Sequence, residues 1–472
     1  MQNAARFWSI LALVGCLISP HLARGASAAA PVTVTIDSAN PGAIIPDDFT
    51  GFSFEIQTLL PDKDGKRMFT ADNKPLIALF KQLGIKSLRV GGNTADNRAV
   101  AVPDEKDADS LIAFARAAGA KVIYTLRLRG GGKPEDVEPI AKYLMSHYKD
   151  EITCLAVGNE PNVYAKEYPA CRELITRYIN AITAPDVAPD AMFCGPSTTP
   201  GKGEWAASFA KEFGPGGHVK FISQHSYPGG NARKVPDPRS GRDKLLEPSI
   251  AKSYQKMYDA FVSATIEAKL PYRLEETNSY FNGGAENVSN TQMSALWALD
   301  YLHWWAAHGA AGMNFHTGDA VAAGDKPTPC WYATFWTVKD GYNVHPIGYA
   351  IKAFDIAGKG RSVPVKVEST DGVNLTGYAV AADQALYVTL INREHDENAR
   401  AATITLSTIA DYPHRQMMLL SAPDNDIAAT SGVALGGAPI DDAANWSGKW
   451  TAVSASEFEV PPSSAAVLKL SK

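Results

Sequence analysis

Cysteine is scarce, no metal-binding spacing is present, and beyond the N-terminus no apolar run is long enough to cross a bilayer, so no transmembrane segment is expected. The 472 residues contain 5 cysteines, none close to another and none accompanied by a histidine pair, which removes the usual zinc motifs and leaves no metal to expect. A surplus of positive charge is lacking too. The formal net charge is −5, without the basic excess that a nucleic-acid partner requires. No glycine-rich turn of the dinucleotide-binding type follows the first strand of the alternating region, so no cofactor is implied.

The leading apolar run is short. Arg6 precedes Phe7–Ile18, and Arg24–Ala30 supplies small residues suited to signal peptidase, so residues 1–28 read as a leader cleaved near Ala28 from a secreted or periplasmic protein. Cys16 after Leu13-Val14-Gly15 offers lipid attachment as an alternative, although the run continues past it through Leu17 and Ile18. Export permits disulfides, and the remaining Cys154, Cys171, Cys194 and Cys330 allow three complete pairings. Cys154 and Cys194 fall on apolar strands, where a buried free thiol is the commoner state.

What the sequence does have is alternation. Pro31–Asp37 alternates β-branched and polar residues as a half-exposed strand does. From Phe49 onward eight short apolar strands alternate with amphipathic stretches: Phe49–Gln57, Ser87–Gly92, Lys121–Leu128, Ile152–Pro161, Ala191–Thr198, Val219–Pro228, Leu270–Ser279 and Ala310–Gly318. The spacing predicts helices over Asp109–Ala118, Glu135–Tyr148 and Thr291–His308 between them. Eight such units imply a (β/α)8 barrel over residues 47–357, with an open doubly wound sheet as the alternative. After about Gly358 the helical pattern stops. Val365–Glu368, Asn374–Val380, Ala385–Asn392, Ala402–Ser407, Arg415–Ser421 and Ala465–Leu470 read as a β-sandwich over 358–472, completed by the N-terminal strand within 29–46.

Active sites of barrels lie at the C-terminal ends of the strands. The fourth strand, Leu155-Ala156-Val157, runs into Gly158-Asn159-Glu160-Pro161-Asn162, and the seventh ends in Leu274-Glu275-Glu276-Thr277-Asn278-Ser279. Strands four and seven face each other across a barrel. Strict alternation would send one of Glu275 and Glu276 inward and the other outward. Two carboxyl groups across a cleft suit glycosidic hydrolysis, in which one is protonated and the other ionised.

With Arg89-Val90-Gly91-Gly92-Asn93-Thr94-Ala95-Asp96 on strand two, these motifs resemble glycoside hydrolase family 79, the β-glucuronidase and heparanase family, within a large clan of retaining (β/α)8 glycosidases. The resemblance runs from Phe52 to the C-terminal sandwich. It implies Glu160 as acid/base, Glu276 as nucleophile and Glu275 as an outward neighbour, with the carboxyl groups about 5–5.5 Å apart. It implies a carbohydrate partner, with Asn159 on the 2-hydroxyl, Glu55 and Asp96 on ring hydroxyls, and Tyr227 close to the nucleophile. Arg89 would keep the nucleophile ionised and is counted among the substrate-binding residues. In the family, the segment matching Tyr280-Phe281-Asn282-Gly283-Gly284 holds a glucuronate carboxylate through backbone N–H groups and a tyrosine.

Phe281 stands where that tyrosine is expected. Tyr280 or Tyr332 would then supply the donor, or Arg127, Arg129 or Lys326 would neutralise the acid. The loop Gly229–Pro248, with a surplus of two positive charges, reads as solvated or as a contact for an acidic chain. The expectation is an exo-acting retaining β-glucuronidase. Its rivals are a neutral-sugar glycosidase of xylosidase, arabinofuranosidase or glucosidase type, and a binding barrel without catalysis.

Overall fold

The computed structural model describes residues 28–129, 133–323, 326–407, 412–453 and 457–472, without the side chain of Lys326; the leader and Cys16 lie outside them. Eight parallel strands close into a barrel: Thr50–Glu55, Ser87–Gly91, Lys121–Leu126, Ile152–Val157, Phe193–Thr198, Val219–Ser226, Tyr272–Thr277 and Met313–His316. The last pairs with both the first and the seventh, which completes the ring. All eight expected strands are present, and strands one, six, seven and eight carry polar residues into the barrel mouth at their last positions. Strand four stops at Val157 because Gly158 takes φ 77° and Glu160 φ 47°, which no extended strand accommodates.

The connecting helices follow local signals. The helix expected from Asp109 begins a turn earlier, at Glu105, because Asp104 accepts from the Asp107 amide at 3.0 Å and Asp107 accepts from the Asp104 amide at 2.9 Å. It ends at Gly119 in the left-handed conformation. Helix Gln292–Ala307 is different: residues Gln292 to Ala306 are all buried. Its outer face is covered by the second domain. There Asp300 accepts from Thr376 Oγ1 and Tyr378 Oη, both at 2.8 Å, with Arg393 at 3.5 Å.

That second domain is a sandwich of antiparallel sheets, with one parallel pairing. Ala30–Ile36 lies between Val365–Ser369, antiparallel to it, and Ala402–Ser407, parallel to it, with Glu457–Val460 at the far edge. The facing sheet runs from Ile44–Ile45 and Gly360–Val363 through Leu375–Ala382, Ala385–Asn392, Ser464–Ser471 and His414–Ser421. Alternate residues Val32, Val34 and Ile36 meet Val388, Leu390 and Leu468 between the sheets. The N-terminal strand therefore belongs to the sandwich, as its alternation implied. Cys154, Cys171, Cys194 and Cys330 are all free and buried, so none of the three pairings is made.

The segment after strand eight contains two hairpins: Ala320–Ala323 with Lys326–Pro329, and Phe335–Val338 with Gly341–Val344. The first leans over the barrel mouth. Asn93 Nδ2 donates to the Ala322 carbonyl at 2.7 Å, and the Ala322 amide donates to Glu55 Oε1 at 3.0 Å.

Candidate active site

A cavity of about 350 Å³ opens at the C-terminal end of the barrel, large enough for a small ligand. Glu160 and Glu276 face each other in its wall, with an oxygen of each within 4.8 Å of the other and of His225 Nδ1. Hydrogen bonding explains this proximity, since His225 Nδ1 lies 3.0 Å from Glu160 Oε1. We read the three as a hydrogen-bonded group rather than a ligand set.

Glu276 is held from several sides. Arg89 Nη1 donates to its Oε2 at 2.6 Å, and Tyr227 Oη donates to its Oε1 at 2.9 Å. Burial alone would raise the Glu276 pKa, but His225, His316 and Arg89 outweigh it and hold the carboxyl well below its ordinary range. Arg89 is itself fully buried, and Glu276 and Glu275 keep its pKa above the ordinary value against the desolvation that would lower it. Arg89 is thus in direct contact with Glu276. It was also expected to bind substrate, but its remaining bonds go to Ser53 Oγ at 3.1 Å and Asn159 Oδ1 at 2.7 Å, and it does not line the cavity.

Both glycines of the Arg-Val-Gly-Gly segment have steric reasons. A Cβ on Gly91 would lie 2.5 Å from the Arg89 guanidinium carbon, and one on Gly92, where φ is +68°, would lie 2.3 Å from Glu55 Oε2.

The seventh strand departs from alternation. From Arg273 to Glu276 it advances three residues while strand six advances two, Ser223 to His225; from Leu274 to Thr277 it advances three while strand eight advances two, Met313 to Phe315. One extra residue is thus accommodated as a bulge, and both glutamates turn into the barrel. Glu275, expected to point outward, is fully buried against strands five and six. Ser197 Oγ donates to its Oε1, and Cys194 Sγ to its Oε2 at 3.2 Å.

Several expected substrate contacts are committed elsewhere. Asp96 accepts the amides of Leu128, Arg129 and Asn159 at 2.8–2.9 Å and the Tyr164 hydroxyl at 3.2 Å, so it anchors the exits of strands three and four instead of a ring hydroxyl. Tyr280 donates to the Gly241 carbonyl at 2.7 Å and is packed away from the cavity. Arg127 is bound to the carbonyls of Ala95 and Val100, and Arg129 lies over the Tyr164 ring. Lys326's side chain falls outside the described residues. The Gly229–Pro248 segment is partly helical, over Pro238–Leu246, and Lys244 and Arg242 bind the carbonyls of Gly229 and Asn287.

Glu55, Tyr227, Phe281, Gly283 and Tyr332 do line the cavity. Glu55 is largely satisfied by protein: its Oε2 accepts from the amide and hydroxyl of Thr94. Asn159 lies just behind the cavity wall, its Nδ2 3.3 Å from Asn93 Oδ1.

Two histidines were missed. His225 lies near the end of strand six, two residues before Tyr227, and His316 ends strand eight, bonded to Ser53 Oγ at 2.9 Å and 3.7 Å from Glu55. The two-residue period from Tyr227 would have placed His225 in the site.

No protein-family model and no curated protein sequence matches the chain. Solved structures match it across nearly its whole length. A GH51 arabinofuranosidase from Xanthomonas axonopodis pv. citri aligns at a TM-score of 0.69 and 15% identity, over 93% of this chain and 100% of that one. A 4-O-α-L-rhamnosyl-β-D-glucuronidase from Fusarium oxysporum 12S, in complex with Rha-GlcA, aligns at 0.69 and 18%, over 94% and 99%. CelM2, a bifunctional glucanase-xylanase from a metagenome library, aligns at 0.61 and 15%, over 93% and 99%. Their fold is the fold of this chain. At such identities the likeness concerns the barrel and its appended sandwich, and the chemistry has to be argued from the side chains.

Proposed function

We propose that this protein is an exported, retaining, exo-acting β-glucuronidase. The observation that carries the hydrolase reading is the pair Glu160 and Glu276, with oxygens within 4.8 Å in one cavity wall. That closeness suits direct attack; an inverting pair stands about 6.5–9.5 Å apart to admit a water. Glu276, ionised by its surroundings, attacks the anomeric carbon while Glu160 protonates the departing oxygen. Glu160 then takes a proton from the water that cleaves the glycosyl ester.

The uronic acid rests on the loop after strand seven. Asn282 and Gly283 line the cavity with positive φ, and among the described residues their amides have no hydrogen-bond partner, so they can meet a carboxylate at close range. Tyr332 and Phe281 both flank Tyr227 in the same wall, their rings 6.1 and 6.2 Å from its ring, and Tyr332 takes the place of the missing tyrosine donor. The hairpin pinned to Glu55 and Asn93 closes one side of the cavity, which favours chain ends over chain interiors.

One observation favours a neutral sugar instead: among the described residues, no lysine or arginine lines the cavity. A panel of aryl glycosides separates the readings. Release from the glucuronide, and little from xyloside, arabinofuranoside or glucoside, is the expected result; release from a neutral sugar alone refutes the uronic acid assignment.

A further inference from the structure

We infer that Glu275 is a third working carboxylate of this site, a positioning residue that holds His225 as an imidazolium between Glu160 and Glu276. The inference rests on the reading of Glu160 and Glu276 as acid/base and nucleophile.

The geometry leaves the ring little choice. His225 is fully buried, and both of its nitrogens face carboxylate oxygens: Nδ1 lies 3.0 Å from Glu160 Oε1 and 3.7 Å from Glu276 Oε1, while Nε2 lies 3.7 Å from Glu275 Oε1. Among the described residues Nε2 has no hydrogen-bond partner. A neutral imidazole carries one donor and one lone pair: with the proton on Nδ1 the lone pair would face the Glu275 carboxylate, and with it on Nε2 the lone pair would face the Glu276 carboxylate, and that of Glu160 once its proton has left. Only the imidazolium presents a proton to both sides. Glu275 cannot serve as the donor, because both its oxygens already accept, from Ser197 and Cys194.

The surrounding charges agree. Facing this group are Arg89 from strand two, Glu160 beyond strand four, the Cys194 thiol from strand five, Tyr227 from strand six, Glu276 from strand seven and His316 from strand eight. Arg273 lies below and is paired with Asp48 at 3.4 Å. Burial keeps Cys194 and Tyr227 protonated. Arg89 and His225 then balance Glu275 and Glu276, and the buried group is neutral when Glu160 carries its proton. Burial would lower the His225 pKa, but Glu276, Glu160 and Glu275 raise it to about 9. Burial would raise that of Glu275, and His225 with Arg89 lowers it to about 2.

The consequence concerns the proton cycle. As the bond from the anomeric carbon to the leaving oxygen breaks, that oxygen takes the Glu160 proton and Glu276 bonds to the carbon. The carboxylate left on Glu160 forms 3.0 Å from an N–H of the imidazolium. In the second half Glu160 takes a proton from water, whose oxygen displaces Glu276. His225 keeps both its protons throughout.

Nitrogen-15 NMR of histidine-labelled full-length protein tests this, the His225 signal being assigned by its loss in H225N. In the wild type both ring nitrogens are expected to stay protonated until the pH nears about 9. In E275Q the transition should fall below that of the wild type, because one of the three carboxylates that raise it is gone while Glu276 and Glu160 remain. S197A keeps the charge of Glu275 and should leave it high. The E275Q enzyme should lose at least about tenfold in kcat at pH 8 on substrates with poor leaving groups, and less on activated aryl glycosides, with KM little changed. Wild-type His225 titrating near 6.5, or an unmoved transition in folded E275Q, overturns the inference. The wild-type titration decides even where E275Q does not fold, and it stands apart from activity, so a protein inactive on every glycoside would refute the proposed function alone.

Discussion

The exits of strands four and seven present the same residue type in opposite surroundings. Glu160 leaves strand four on a left-handed residue at the cavity lip; its side chain is 18% exposed, and a single side-chain hydrogen bond reaches it. Glu276 is still within strand seven, 8% exposed, with an arginine on one oxygen and a tyrosine on the other. In the proposed mechanism this difference leaves one glutamate accessible to the leaving group and holds the other charged. An acid that must gain and lose a proton needs access and few fixed donors. A nucleophile that must stay ionised needs cations and donors that do not move.

The largest test of this contrast is Glu276→Gln. It leaves the shape but removes the attacking oxygen, and kcat should fall about 10⁴-fold or more, measured under saturating substrate. Retained turnover would make the two strand ends equivalent and end the comparison. Next comes Glu160→Ala. Its loss should be about 10²–10⁴-fold for poor leaving groups and much smaller for activated aryl glycosides, and added azide should restore turnover by entering the vacated space. Equal losses on both substrate types would remove the acid role. Tyr227→Phe should cost least, about 10- to 100-fold in kcat, because it deletes one charge-assisted hydrogen bond while Arg89 stays. A pH–rate profile sharpens it. The hydroxyl helps hold the Glu276 pKa down, so its loss should move the acid limb upward.

Much of this architecture was legible in the chain because it is written in local periodicity. Eight apolar runs separated by amphipathic stretches have few alternatives to a closed parallel barrel, and the β-branched alternation of Pro31–Asp37 marks a half-buried strand wherever its partners lie. Gly158-Asn159-Glu160 and Glu275-Glu276 were found because polar residues at the end of an apolar strand stand out. The substrate contacts were less legible. Asp96 and Tyr280 have the right chemistry, but backbone amides and a carbonyl brought close by folding had already claimed them. His225 lacked a signal of its own, since its meaning lies in three carboxylates from other places in the chain.

By itself, then, the sequence determined a barrel with an appended sandwich and a pair of facing strand-end acids, because alternation and strand-end polarity are short-range properties. Tertiary structure alone decided which polar groups remain free for a ligand and which way consecutive glutamates point. A bulge is defined by the register of two neighbouring strands, Val219–Ser226 and Met313–His316, and neither belongs to the sequence window that contains Glu275 and Glu276.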